Sequence, residues 1–158
     1  NSTPDKARWW GDAGNGNLNY DGNDPNLVAN GSPRTRLIWD GTNGQQVKYE
    51  RSPAAEMRVV GNGIQGVPDW NPGASPQMTY SGNGVWTITI TLVGNKEIKF
   101  LAGNDWGAFD YEDDSGGSTA TGTPRKIKWN GSDNFKTPTT TGSYTITLNE
   151  YTQTVTIN

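Results

Sequence analysis

Residues 103–117, GNDWGAFDYEDDSGG, place three aromatic rings and five carboxylates in fifteen positions. Trp106, Phe109 and Tyr111 stand among glycines and acids where neither a helical nor a strand period runs, so the stretch reads as a loop. An indole or phenol on a loop offers a flat apolar face, and the C–H face of a pyranose ring complements it. Covering about 100 Å² of combined apolar surface is worth on the order of 2–3 kcal/mol, and Tyr and Trp add hydrogen bonds at the ring edge. Sugar hydroxyls are then fixed by a few amide, carboxylate or cationic groups. Asn104, Asp105 and Asp110 supply acceptors within the stretch, and Lys99, on the outer face of the preceding strand, is in reach of the same surface.

Trp70, in VPDWNPG, is a second loop tryptophan, and RWWGDAGNGNLNY adds Trp9, Trp10 and Tyr20. The competing reading of each ring is a cap on the end of a hydrophobic core. Trp39, Trp86 and Trp129 fall on alternating strand faces and are read as core.

Two other chemistries use the same acids. Asp110, Glu112, Asp113 and Asp114 could supply oxygen ligands to Ca²⁺, but their spacing is not that of an EF-hand loop, and a solvated acidic loop is the plainer reading. No other cofactor is expected. A glycosidase needs two carboxylates flanking the scissile bond with their pKa values pushed apart. A run of like charges on a loop provides no cleft for that, so no enzyme activity is expected. With no His and no Cys among 158 residues, Ser–His and Cys–His catalysis, disulfides and His-based metal sites are excluded.

Composition sets the frame for these residues. The chain has 21 Gly, 9 Pro and 7 Trp with only 31% hydrophobic residues, and is rich in Thr, Asn and Ser, all poor in helix interiors. Short β-rich runs between turn clusters predict an all-β sandwich or barrel. A net charge of −3 without a basic run argues against nucleic acid. No run is long enough to span a membrane, and no secretory leader is recognisable, which reads as a mature form or an excised piece.

The clearest strand, VWTITITL (85–92), turns Trp86, Ile88, Ile90 and Leu92 to one face and threonines to the other. GNKEIKFLAG follows through a GN turn and is read as its hairpin partner, 84–101, with Ile98 and Phe100 inward and Lys99 and Leu101 outward. EMRVVGNG (56–63) opens the region, RKIKWNG (125–131) presents Ile127 and Trp129 to one face, and SYTITLNEYTQTVTIN closes it as a second hairpin over 143–157.

TRLIWDGTNGQQVKYE (35–50) reads as another hairpin, with Leu37, Trp39, Val47 and Tyr49 inward. Upstream of it, RWWGD (8–12) answers NDWGA (104–108), and DGND (21–24) answers NGSD (130–133). The order of Trp-Gly, Asx-Gly turn, Gly-Ser and final hairpin thus occurs twice, offset by roughly 100 residues, as in tandem modules. Residues 1–53 then form the back half of a preceding similar module, or add strands to one sandwich. Residues 56–158 form a complete module, and Pro53 marks the joint.

The run MRVVGNG…DWNPGASPQMTYSGNGVWTITITLVGNKEIKFLAGNDWG resembles the repeating unit of the SusE/SusF-type outer-membrane starch-binding proteins of Bacteroidetes. The shared order is a strand ending in glycine, a loop Trp, a Met before a turn, a GxW strand, a KF strand, a Trp-Gly loop and a final Gly-x-Tyr hairpin. It covers 56–158 and, in its second half, 8–50. The resemblance implies an immunoglobulin-like antiparallel β-sandwich of the carbohydrate-binding-module type. It also implies non-catalytic binding of starch or another α-glucan at the outer-membrane surface of a Gram-negative bacterium. The partner is then a glycan, the membrane is reached only through an anchor outside these residues, and a monomer is expected. The acidic segment DYEDDSGGSTATGTP stands where the family has a shorter glycine-rich loop, and loops carry specificity. The alternatives are a structural spacer or a Ca-binding β-sandwich without glycan affinity.

Overall fold

The computed structural model describes residues 53–128 and 132–158, and only the backbone of Trp129 and of four strands in the N-terminal third, 10–14, 17–20, 35–40 and 46–51. The chain divides into two compact units, Asn1–Ser52 and Pro53–Asn158.

In the first unit, β1 (Trp10–Gly14), β2 (Asn17–Tyr20), β3 (Thr35–Asp40) and β4 (Gln46–Arg51) form an antiparallel sheet in the order β1-β2-β4-β3. The hairpin read over 35–50 is β3–β4, with Leu37 opposite Tyr49 and Trp39 opposite Val47.

The second unit is all-β and antiparallel, a curled sheet resembling half a barrel. Its strands are β5 (Arg58–Gly61), β6 (Thr79–Gly82), β7 (Val85–Leu92), β8 (Glu97–Leu101), β9 (Asp110–Asp113), β10 (Arg125–Trp129), β11 (Phe135–Lys136), β12 (Gly142–Asn149) and β13 (Thr154–Ile157). They run β11-β8-β9-β10-β13-β12-β7-β6, with β5 on β8. Its only helical turn among the described residues is the 3-10 turn Pro72–Ala74. The curl is made by β10, which pairs with β13 at Arg125 and Lys126 and with β9 from Ile127 to Trp129.

Alternation fills the hollow of this sheet. Val59, Ile98, Phe100 and Phe135 meet Trp86, Leu92, Ile146, Leu148, Val155 and Ile157 in one buried cluster, each worth about 1.5–3 kcal/mol when fully removed from water. Phe100 and Phe135 pack edge to face at 5.5 Å. The 143–157 hairpin is present as read, with Ile146 opposite Ile157 and Leu148 opposite Val155. Arg125 shares the inward parity of Ile127 and is buried, its Nη1 donating to the Lys136 carbonyl at 2.7 Å. Burial pushes its guanidinium below the ordinary arginine value, and the Asp113 charge opposes that shift.

One reading is corrected. Residues 84–101 are not a hairpin: β7 pairs with β6 and β12, and β8 with β5, β9 and β11. The turn Val93–Lys96 is instead a corner that docks on 137–141. Asn95 N–H donates to the Pro138 carbonyl, Gly94 N–H to Thr141 Oγ1 and Lys96 N–H to Thr137 Oγ1. Leu101, read as outward, does stand outside the main core cluster, as does Val60, and is nonetheless 1% exposed.

The two units share an order. β9-β10-β13-β12 has the connectivity of β1-β2-β4-β3. Trp10 lies opposite Tyr20 as Tyr111 lies opposite Trp129, and Tyr20 and Trp129 each precede an Asx-Gly pair.

Candidate functional site

The segment between β8 and β9 is a compact loop. Ala102 N–H donates to the Phe109 carbonyl at 2.7 Å and closes its neck. Within it, Gly107 N–H donates to Asp105 Oδ1 at 2.7 Å and Ala108 N–H to the Asp105 carbonyl at 3.2 Å. Asp105 therefore spends one side-chain oxygen on its own turn, as Asp commonly does. Gly103 is required by packing, since a Cβ there would lie 2.6 Å from that of Ala108.

At the tip, Trp106 is 54% exposed, the most exposed large hydrophobic residue among those described. Asn104 and Asp105 beside it are exposed. Lys99 Nζ lies 5.6 Å from the Trp106 ring centroid, a cation–π contact. The ammonium is held there by two carboxylates, Asp110 Oδ2 at 2.8 Å and Glu112 Oε1 at 2.6 Å. Burial pushes the Lys99 ammonium down, but the hydrogen bonds it donates to Asp110 and Glu112 outweigh that and leave its pKa above the ordinary lysine value. The structure thus brings Trp106, Lys99, Asn104, Asp105 and Asp110 together, with Lys99 bracing the ring.

Trp70 belongs to the neighbouring loop. It is half-buried and takes a left-handed backbone, φ 51°, an outlier for a bulky residue that costs of order 1 kcal/mol. Asn71 caps the following 3-10 turn, accepting from Ala74 N–H. A Cβ on Gly73 would lie 3.8 Å from the Asn104 carbonyl, so the loops bearing Trp70 and Trp106 adjoin.

Other candidates lie elsewhere. Tyr111, read as a loop platform, sits on β9 and is 3% exposed, its hydroxyl donating to Glu150 Oε1 at 3.1 Å. Alternation explains the correction: Tyr111 and Asp113 turn inward while Asp110 and Glu112 turn toward Lys99. Phe109 is half-buried against the core and packs edge to face on Tyr111 at 4.8 Å, so it seats the loop and is not an open platform. Trp10 holds the register position of Tyr111, not that of Trp106, which corrects its reading as a loop counterpart. Its side chain, those of Tyr20, Trp39 and Trp129, and all of Trp9 lie outside the described residues.

The four carboxylates read as calcium ligands diverge. Asp110 and Glu112 hold Lys99, and Asp114 lies 3.8 Å from Lys128 Nζ. Asp113 is buried and accepts from Ser115 N–H, the Ser115 hydroxyl and Gly117 N–H, fixing the turn after β9.

One residue was missed altogether. Glu150, in the β12–β13 turn, is fully buried. Its carboxylate accepts from Trp86 Nε1 at 2.7 Å, from Ala54 N–H at 3.0 Å and from the Tyr111 hydroxyl. A buried carboxylate persists only when its oxygens are satisfied in this way. Its only sequence signal is an acid inside a hairpin turn, indistinguishable from a solvated one.

No family model, curated protein or solved structure matches the chain.

Proposed function

We propose that the unit Pro53–Asn158 is a non-catalytic glycan-binding module, its curled sheet being of the immunoglobulin-like sandwich type. The observation that carries the reading is Trp106: an indole 54% exposed, on a loop locked by its own hydrogen bonds, backed by an ammonium on one side. An exposed ring held this rigidly loses little conformational entropy on binding, which is the usual tax on a surface contact. Trp70 supports the reading through its strained backbone, because such strain persists where the surroundings enforce it and clusters at ligand sites. Asn104 and the second oxygen of Asp105 supply groups for hydroxyls.

The ligand is a neutral polysaccharide, with α-glucan first to be tested because of the resemblance of the strand and loop order. The setting that fits is a bacterial outer-membrane surface, the module being carried by an anchor outside these residues. The shared order of β1-β2-β4-β3 and β9-β10-β13-β12 supports tandem modules on one chain. One platform gives a dissociation constant of about 10 μM to 1 mM, or about −4 to −7 kcal/mol, and retention then grows through effective concentration. The test is affinity electrophoresis through gels holding amylopectin, xylan, mannan or mixed-linkage glucan. Wild-type protein should be retarded in at least one gel, and Trp106→Ala clearly less in that same gel. Equal retardation of the two proteins would sink the assignment.

A further inference from the structure

The geometry points to a second sugar platform formed by Tyr80 and Tyr151. With Trp106 they are the exposed large hydrophobic residues among those described, each 41% exposed. They come from different hairpins. Tyr80 precedes the β6–β7 turn, and Tyr151 lies in the β12–β13 turn. The pairing of β7 with β12, Val85 opposite Asn149, sets these turns side by side.

Both rings are fixed on one residue, Gly84. Its N–H donates to the Tyr80 hydroxyl at 3.1 Å, while its missing side chain makes room for Tyr151. A Cβ at Gly84 would stand 2.7 Å from two Tyr151 ring carbons. Its φ of 75° is also one that glycine adopts without strain. The turns are cross-linked further. Glu150 N–H donates to the Gly84 carbonyl at 2.9 Å, and Asn149 Oδ1 accepts from the N–H groups of Tyr151 and Thr152. Tyr80 leans on Trp86, centroids 4.9 Å apart, and Trp86 is itself anchored on Glu150.

Two half-exposed phenols pinned in this way present apolar area that costs little to order, as in protein recognition surfaces built on tyrosine. The exposed polar side chains around them, Asn83, Thr152 and Gln153, are amides and hydroxyls. Such groups suit an uncharged pyranose, which they can both donate to and accept from. The platform is separate from Trp106 in its residues and rests on the glycan reading only for the class of ligand.

The test is an NMR titration of the whole 158-residue chain with malto-, xylo-, manno- and cello-hexaose. It follows the Gly84 amide, the reporter between the two tyrosines, and the Trp106 indole N–H. A Tyr80→Leu/Tyr151→Leu double variant keeps side-chain bulk while removing the flat faces, and its native amide spectrum checks folding. The expected result is a saturable Gly84 shift in wild-type protein and in Trp106→Ala, absent in the double variant. A Trp106 shift with Gly84 unmoved overturns this platform and leaves the first site standing. A Gly84 shift with Trp106 unmoved does the reverse, and stillness of both with every sugar overturns both.

Discussion

Trp106 and Tyr111 stand five residues apart in one acidic, glycine-rich stretch, yet one is 54% exposed and the other 3%. The difference is where the strand begins. Before Asp110 the backbone bonds to itself around Asp105. From Asp110 onward it pairs with β8 and β10, and period two then decides which side chains go inward. Two rings with the same local surroundings in sequence thus acquire opposite places: Tyr111 fills the core and satisfies Glu150, and Trp106 is left in water.

That contrast is broken most severely at the buried end. Tyr111→Ala should lose about 3–5 kcal/mol of stability through the cavity it opens, read as a lower midpoint in urea unfolding. Trp86→Ala should cost a similar amount for the same reason. Glu150→Ala should cost about 3 kcal/mol, because the Trp86 indole N–H and the Tyr111 hydroxyl would be left buried without an acceptor. If Glu150→Ala unfolds at the wild-type midpoint, the carboxylate is not the anchor described.

At the exposed end the effects should move from folding to binding. Trp106→Ala should change stability by less than about 0.5 kcal/mol, as expected of a surface position. It should weaken glycan binding at the Trp106 loop at least tenfold, or about 1.4 kcal/mol. A collapsed thermal midpoint with retained binding would exchange the roles of the two rings. Lys99→Met should weaken binding only severalfold, since the cation–π brace is worth about 0.5–1 kcal/mol at a partly exposed site, and Lys99→Arg should restore it.

The smallest effect is with pH. Lys99 has a folded pKa above its ordinary value, so the stabilisation it contributes is fully present below that ordinary value. It is lost only as pH rises through the raised one. Binding should therefore stay level from neutral pH into the mildly alkaline range and fall only beyond ordinary lysine titration. A fall near neutrality, measured by the same gel assay, would show that Lys99 is not the brace.

Much of the framework was legible in the chain. The alternation in VWTITITL, RKIKW and TITLNEYTQTVTI placed Trp86, Ile127, Ile146, Leu148, Val155 and Ile157 in the core, because a strand with one buried face must repeat every second residue. The four-stranded sheet β1-β2-β4-β3 and the run β9-β10-β13-β12 within the nine-stranded sheet share a strand order, although the two Trp-Gly pairs do not take matching positions in it. The GN turn after β7 was not legible, since the same dipeptide serves a tight hairpin and a corner. What distinguishes them here is a set of acceptors on 137–141 more than 40 residues downstream.

The sequence by itself determined that the chain is β-structured, where most strands run, and that Trp70 and Trp106 sit on loops. Those properties are local, fixed by side-chain periodicity and turn chemistry. Only the tertiary structure decided which rings stay in water. The exposure of Trp106, Tyr80 and Tyr151, the burial of Tyr111, and the gathering of Trp86, Ala54 and Tyr111 on Glu150 all depend on strands distant in sequence becoming neighbours. A carboxylate or an indole carries no mark of its partner until the sheet has curled around it.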